Sequence, residues 1–182
     1  FKEQWKAAEE EAWCYELPYL EEFGSEGIKK GGYTLEEITE RHRKIDTRIA
    51  NALQGENDFL LIGGPPCQAY SLVGRSRNKG ISKDDHRVHL YKEYLRIIAR
   101  HHPAVFVMEN VKGLLSSKVD GVKIFDLIKS DLHDPSIVFP ELESPTYKIY
   151  SLTAPPANED DGHPQYKHNR DYLIKAEDYG VP

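Results

Sequence analysis

Two short apolar runs stand out along the chain, and each ends at residues that can carry chemistry. Residues 59–62 (Phe-Leu-Leu-Ile) lead into Gly63, and residues 104–108 (Ala-Val-Phe-Val-Met) lead into Glu109. The first of these runs is typical of a strand buried on both faces of a parallel sheet. Between them, residues 90–100 place apolar and charged residues at helical spacing. The pattern therefore predicts a strand, a helix and a second strand in succession.

The flanking sequence extends this alternation in both directions. One helix is predicted over residues 2 to about 23, interrupted or ended near Pro18. Another helix is predicted to begin after Thr34, because Thr34 and Glu37 have the spacing of a capping box. It is predicted to run to about Leu53. Downstream, the pattern predicts a helix over residues 122–132, strands over 147–152 and 172–174, and loops over 134–145 and 154–170. Alternating strands and helices indicate an α/β fold with a doubly wound, mostly parallel sheet.

The composition is that of an ordinary globular protein. The 182 residues are 39% hydrophobic and 30% charged, which allows a real hydrophobic core. No apolar run approaches the roughly 20 residues that span a bilayer, and no signal peptide opens the chain. Two cysteines, Cys14 and Cys67, are too few for a disulfide framework or a cysteine-rich zinc site, so a reducing cytosol and no metal are expected. Both ends, Phe1 and Pro182, are predicted to be cuts through a longer protein.

The charge is unevenly distributed along the chain. The formal net charge is −6, which alone argues against a nucleic-acid partner, since phosphate contacts need Lys and Arg. Acidic residues crowd the first forty positions, however, whereas Arg75, Arg77 and Arg87 belong to a basic stretch around Gly74 and Gly80. An isolated basic run is usually a solvated loop. This basic stretch lies soon after the segment 63–68 (Gly-Gly-Pro-Pro-Cys-Gln), and that position favours contact with phosphate.

The residues that can carry chemistry follow the two predicted strands. In an open parallel sheet, ligands bind outside the carboxyl ends of the strands. Residues 63–68 (Gly-Gly-Pro-Pro-Cys-Gln) follow the first strand, and residues 109–111 (Glu-Asn-Val) follow the second. If the strands are neighbours, Cys67 and Glu109 face the same crevice, which places a nucleophile beside an acid. Taken singly, such a Cys is most often a buried packing residue, and such a Glu can cap a helix. Their joint occurrence is much harder to explain in that way.

Four ordered motifs resemble those of the cytosine-5 DNA methyltransferases. Residues 63–71 resemble the Pro-Cys-Gln motif of that family, and residues 109–111 resemble its Glu-Asn-Val motif. Residues 85–97 match its Asp-x-Arg-x-x-Leu-(Phe/Tyr) helix start, and residues 176–182 are similar to its Asp-Tyr-Gly-Val-Pro segment. Four motifs in the right order form a specific signature.

The resemblance also implies a domain organisation. Residues 58–182 are interpreted as part of a Rossmann-like, S-adenosylmethionine-dependent catalytic domain that is incomplete, and residues 1–57 as a helical segment without a recognised motif. The Gly-rich Phe-x-Gly-x-Gly element that forms the main cofactor site in the family has no match in this chain. The target-recognition domain is predicted to be absent as well. The fragment is therefore expected to be inactive or nearly so by itself.

The mechanism that the resemblance implies explains the residue types. Cytosine C5 is a poor nucleophile until a thiolate adds to the adjacent C6, and Cys67 would form that covalent adduct. Glu109 would hydrogen-bond N3 and the exocyclic amine of the base. Asn110 would hold the neighbouring proline turn. Because the ring is inaccessible inside double-stranded DNA, the target cytosine must be flipped out of the helix.

Two further sets of residues follow from the resemblance. The first is expected to contact DNA from the loop after the nucleophile and from the next helix start: Gln68, Ser71, Arg75, Arg77 and Arg87. The second is expected to contact S-adenosylmethionine at the periphery of its site: Pro65, Pro66 and Leu90.

Other functions remain open at this point. A minority branch of the family methylates cytosine in tRNA, and the motifs cannot separate the two substrates. A non-catalytic relative that merely binds nucleic acid is another alternative, although the intact Cys67 and Glu109 speak against it. A cysteine hydrolase is a third alternative, but no histidine of this sequence lies at a recognisable spacing to serve as its base. The expected parent is a prokaryotic, cytoplasmic and nucleoid-associated enzyme of the restriction–modification type, which is monomeric when full length and has neither membrane nor metal partners.

Overall fold

The chain forms two compact units, residues 1–49 and residues 50–182, in the computed structural model. The structure describes residues 2–11, 34–65, 90–119 and 121–181. None of the helices in these ranges is long and apolar enough to cross a membrane. The candidate site belongs to the second unit.

The first unit contains a short helix and most of a long one. Helix α1 spans Lys2–Glu11, and the part of the predicted helix beyond it lies outside the described residues. Helix α2 spans Leu35–Leu53, as predicted. Its start is the predicted capping box, because the Glu37 amide donates to Thr34 Oγ1 at 3.2 Å and the Thr34 amide donates to Glu37 Oε2 at 2.7 Å. Two orphan amides of the first turn are thereby satisfied.

The capping box makes the start of α2 sensitive to acid. The backbone hydrogen bond from Thr34, followed by that from its hydroxyl, holds the pKa of Glu37 below its ordinary value. The stabilisation is therefore present above the ordinary carboxyl pKa and is lost as the pH falls through the lowered pKa. We expect Glu37→Gln to reduce helicity and unfolding free energy at neutral pH, and the difference from wild type to vanish in acid. Urea titrations followed by circular dichroism measure this, with Glu36→Gln as the control. A difference independent of pH would contradict it.

The second unit is built on two parallel strands. Strand β1 spans Leu60–Gly63 and strand β2 spans Val105–Met108, and they pair in register from Leu60 opposite Val105 to Gly63 opposite Met108. Helix α3, Tyr91–His101, leads into β2. The predicted strand, helix and strand are confirmed.

The prediction that β1 is buried on both faces is wrong for the described chain. Leu60 and Ile62 are 54% and 70% exposed, and Val105 is 56% exposed. Side chains alternate between the faces of a strand, so these three share one face. The alternate side chains, including Leu61 and Phe106, pack on the core on the other face. One face of the sheet is therefore covered, and the opposite face presents apolar side chains.

The core lies between α3 and a second helix, α4, which spans Ile124–His133 and confirms the helix predicted there. Leu95 and Ile98 of α3 are fully buried, and Ile128 of α4 is nearly so. Before α4, the chain forms a small antiparallel pair of β3 (Lys118–Val119) and β4 (Val122–Lys123). Helix α3 and the pair of β3 and β4 thus pack on one continuous apolar cluster, to which β3 contributes Val119.

The predictions for the last forty residues are partly wrong. Residues 147–152 form no strand; instead, Tyr147 packs on the core and its amide donates to the His133 carbonyl at 2.7 Å. The strand predicted over residues 172–174 is also absent, because Asn169–Tyr172 is a 3₁₀ turn. The loop predicted over 154–170 contains a hairpin of β5 (Asn158–Asp160) and β6 (His163–Gln165).

The hairpin has a clear local cause. Asp161 and Gly162 connect its strands, with φ angles of 48° and 74°. Two successive positive φ values suit a two-residue type I′ turn, for which Asp-Gly is a favoured sequence. The segment from 134 to 145 is irregular as predicted, with two short 3₁₀ turns, Pro135–Ile137 and Pro140–Leu142.

Candidate catalytic site

The carboxyl ends of β1 and β2 meet at one edge of the sheet. The Glu109 amide donates to the Gly63 carbonyl at 2.9 Å, which continues the ladder by one residue beyond the strands. Glu109 therefore emerges directly beside the turn that begins at Gly64. The predicted crevice requires the two strands to be adjacent in the sheet, and this adjacency is confirmed.

The Glu109 side chain lies against the backbone of Gly64. A Cβ atom placed on Gly64 would lie 3.2 Å from Glu109 Oε2, closer than ordinary van der Waals contact. Glycine at this position therefore leaves room for the carboxylate over the turn. The Glu109 residue is exposed, so its carboxylate is accessible to a ligand approaching the edge of the sheet.

Asn110 ties the two strand ends together. Its Nδ2 donates to the Pro65 carbonyl at 3.0 Å, and its Oδ1 accepts from the Val111 amide at 2.9 Å. Pro65 itself is buried. Both ends of the side-chain amide are used, and the expected contact between Asn110 and the proline turn is observed. Its part in catalysis remains a prediction.

Replacing Asn110 by aspartate should loosen this edge. An ionised carboxylate cannot donate to the Pro65 carbonyl, so a hydrogen bond is lost and a negative charge faces a carbonyl oxygen. We expect the free energy of unfolding to fall by about 1–2 kcal/mol. Urea unfolding of Asn110→Asp measures this, and Asn158→Asp, at an exposed position in β5, is the matched control. Equal stability of the two variants would contradict the structural role.

Most of the other predicted site residues lie outside the described residues. These are Pro66, Cys67, Gln68, Ser71, Arg75, Arg77 and Arg87. The structure thus brings together Glu109, Asn110 and Pro65, and it places Leu90, half-buried, immediately before α3.

The described cofactor candidates fit only the margin of a cofactor site. Pro65 and Leu90 are apolar and can contact an uncharged part of S-adenosylmethionine, but they offer neither a carboxylate for its ribose nor a side-chain donor. Among the residues that the structure describes, no group of three or more His, Cys, Asp or Glu side chains could hold a metal ion.

Tyr94 is a site-proximal residue that the sequence pattern did not distinguish. The pattern placed it only on the apolar side of a helix. In the structure its hydroxyl lies 2.9 Å from the Val107 carbonyl and 3.3 Å from the Leu61 carbonyl. A buried tyrosine needs a partner for its hydroxyl, and that requirement was the available signal. Its partners were not foreseeable, since they are backbone atoms brought together by the sheet.

A sequence model of the family described as C-5 cytosine-specific DNA methylase matches residues 22–135, more than half of the chain. The chain belongs to this family, and the resemblance drawn from its four motifs is confirmed. The match begins inside the segment 1–57, whose boundary with a catalytic domain at residue 58 remains a prediction.

Individual relatives are type II methyltransferases of bacteria. The chain is 51% identical over 84 residues to M.Bpa9945I of Bacillus paralicheniformis, covering 44% of this chain and 18% of the relative. It is 31% identical over 122 residues to M.DdeI of Desulfomicrobium norvegicum, covering 67% of this chain and 21% of the relative. The chain thus spans about a fifth of the length of the curated relatives that it matches. No solved structure matches it.

Proposed function

We propose that the complete protein methylates C5 of cytosine in double-stranded DNA, using S-adenosylmethionine as the methyl donor. One observation carries the proposal beyond family membership. Glu109 and Asn110 leave the end of β2, and Asn110 bonds the Pro65 carbonyl, only two residues before Cys67. This tie keeps the acid close to the segment that bears the nucleophile.

Cys67 and Glu109 divide the chemistry between them. The Cys67 thiolate adds to C6 and an S–C6 bond forms, while the electron pair of the C5–C6 double bond shifts to C4–C5 and the C4–N3 pair moves onto N3 as negative charge. Glu109, in its protonated form, donates its proton to N3 as that negative charge develops, which leaves a nucleophilic C5. S-adenosylmethionine, when bound, supplies an electrophilic methyl group. C5 would take up this methyl group in a new C–C bond as S-adenosylhomocysteine leaves. Loss of the C5 proton to solvent, expulsion of the Cys67 thiolate and return of the N3 proton to Glu109 then regenerate the aromatic ring and the protonated acid.

The exposed carboxylate of Glu109 suits a target cytosine that has been flipped out of the duplex. A cytosine stacked inside DNA cannot reach a strand-end acid, so flipping of the base is part of the proposal. Gln68, Ser71, Arg75, Arg77 and Arg87 are proposed to contact the DNA, chiefly its phosphates. Such contacts predict affinity that falls steeply with salt.

A doubly wound sheet would cover what the two strands leave open. Leu60, Ile62 and Val105 expose an apolar face that such a fold buries beneath a further layer. Pro65, Pro66 and Leu90 are proposed to touch the margin of the cofactor. Since the sequence of residues 1–182 contains no Phe-x-Gly-x-Gly element, we propose that they are inactive or nearly so alone. The names of the relatives support a restriction–modification setting. We propose that the enzyme works beside the chromosome in the cytoplasm.

Covalent trapping tests the proposed function. The complete protein is incubated with S-adenosylmethionine and a DNA duplex in which the cytosines are 5-fluorocytosine, because fluorine at C5 cannot leave as a proton and the adduct persists. A denaturation-resistant complex with the duplex is expected. A complex with fluorocytosine-containing tRNA alone would favour the tRNA alternative. No complex with either nucleic acid would overturn the assignment of Cys67 as nucleophile.

A further inference from the structure

Tyr94, on α3, contacts both strands of the sheet from the covered face. Its hydroxyl lies 2.9 Å from the Val107 carbonyl of β2 and 3.3 Å from the Leu61 carbonyl of β1. Val107 stands two residues before Glu109, and Leu61 stands four before Pro65. One side chain of α3 thus contacts both strands just before they deliver the proposed acid and the turn that leads to Cys67.

The ring of Tyr94 is held as firmly as its hydroxyl. It fills the space beside Gly63, where an added Cβ atom would lie only 2.7 Å from Cδ2 of the ring. Its other neighbour is Phe106, whose ring stands nearly perpendicular with the centroids 6.4 Å apart. Phe106 in turn packs edge-on against Tyr147, with centroids 5.1 Å apart. The hydroxyl therefore reaches the two carbonyls from a rigid base.

The hydroxyl of Tyr94 stays a donor at any pH at which such an enzyme works. Burial raises the pKa of Tyr94 to about 12. A phenol has one proton, so the shorter approach to the Val107 carbonyl is the better hydrogen bond and the Leu61 carbonyl receives the weaker part.

We propose that Tyr94 is a positioning residue for methyl transfer, because its hydroxyl fixes the spacing between the ends of β1 and β2 and so holds Glu109 opposite the turn that precedes Cys67. The inference rests on the proposed function. Small displacements of catalytic groups cost rate rather than fold, so the effect should appear in the chemical step.

A pair of tyrosine variants on the same helix tests the proposal. Tyr94→Phe removes the hydroxyl and keeps the ring. Tyr91→Phe is the matched control, since the buried Tyr91 hydroxyl donates to Asp131 of α4 at 2.6 Å. In the complete protein, with saturating fluorocytosine duplex, Tyr94→Phe is expected to slow adduct formation about tenfold with a DNA KM changed less than about twofold. Tyr91→Phe is expected to lower Tm while leaving the rate within about twofold.

Hydrogen exchange gives a readout that does not need activity. The Glu109 amide is bonded to the Gly63 carbonyl, so its exchange reports the spacing of the strand ends. We expect its exchange to accelerate about tenfold in Tyr94→Phe and to stay unchanged in Tyr91→Phe. Equal rates of adduct formation in the two variants, or unchanged Glu109 exchange in Tyr94→Phe, would overturn the inference. If wild type forms no adduct, the proposed function fails, and the exchange comparison alone decides whether Tyr94 holds the strand ends.

Discussion

Replacement of Cys67 by serine in the complete protein is expected to abolish adduct formation and to lower methyl transfer to DNA by a factor on the order of 10³ or more. The reason lies in the protonation state of the nucleophile. A thiol has a substantial thiolate fraction near neutral pH, which a lowered pKa can increase, whereas a serine hydroxyl needs a dedicated general base. Radiolabel transfer from S-adenosylmethionine to duplex DNA measures the loss, and affinity for the duplex should change little.

Cys14 provides the matched control for this experiment. It is the other cysteine of the 182 residues, and Cys14→Ser should retain both the adduct and the full methylation rate. Loss of the adduct in Cys14→Ser, or its persistence in Cys67→Ser, would contradict the assignment. The control also excludes a general effect of removing a thiol.

The centre of the fold could be predicted because its signals are local and strong. Residues 59–62 and 104–108 are apolar without interruption, and the first run is followed by Gly-Gly-Pro-Pro and the second by the polar pair Glu109 and Asn110. The helix between them carries its apolar residues at helical spacing, so the alternation itself fixes the element types. The capping box at Thr34 was equally predictable, because its two partners are three residues apart. Whether β1 is covered on both faces depends on further layers, which no local pattern specifies.

The two wrongly predicted strands, over residues 147–152 and 172–174, lie in apolar segments that could be buried in more than one way. Tyr147 and Tyr172 both lie in segments with the composition of a strand. Tyr147 instead packs edge-on against Phe106, and Tyr172 packs against Phe125 of α4 with centroids 5.2 Å apart. Burial of an aromatic ring satisfies such a segment without a ladder, because propensity for a strand mostly measures packing. The hairpin was missed for the opposite reason, since its strands are polar and only the Asp-Gly turn announces it.

At the candidate site, the sequence predicted the contact between Asn110 and the proline turn but not the contacts of Tyr94. The rule that ligands meet the carboxyl ends of strands was enough to select Glu109 and Asn110. The two strands pair as that rule requires. Tyr94 could not be selected in this way, because its partners are the carbonyls of Leu61 and Val107, which become neighbours only when the sheet has formed. Tertiary hydrogen bonds to backbone carry no sequence signature of their own.

The second large effect is expected at Glu109. Glutamine has nearly the same shape and can still donate a hydrogen bond to cytosine N3, but it has no proton to transfer as charge develops there. We therefore expect Glu109→Gln to lower the rate of methyl transfer by about 10²–10³, with binding of the duplex nearly unchanged. Single-turnover methylation at saturating duplex measures the rate of the chemical step.

Two further variants separate chemistry from structure at this position. Glu141→Gln, on the exposed 3₁₀ turn Pro140–Leu142, removes an equivalent charge elsewhere and should keep the wild-type rate. Glu109→Asp retains the acid but withdraws it by one methylene, and it should recover part of the rate lost in Glu109→Gln. The hydrogen bond from the Glu109 amide to the Gly63 carbonyl involves the backbone alone, so none of these changes should loosen the strand ends. A Glu109→Gln enzyme as fast as wild type would mean that proton donation at N3 comes from another group.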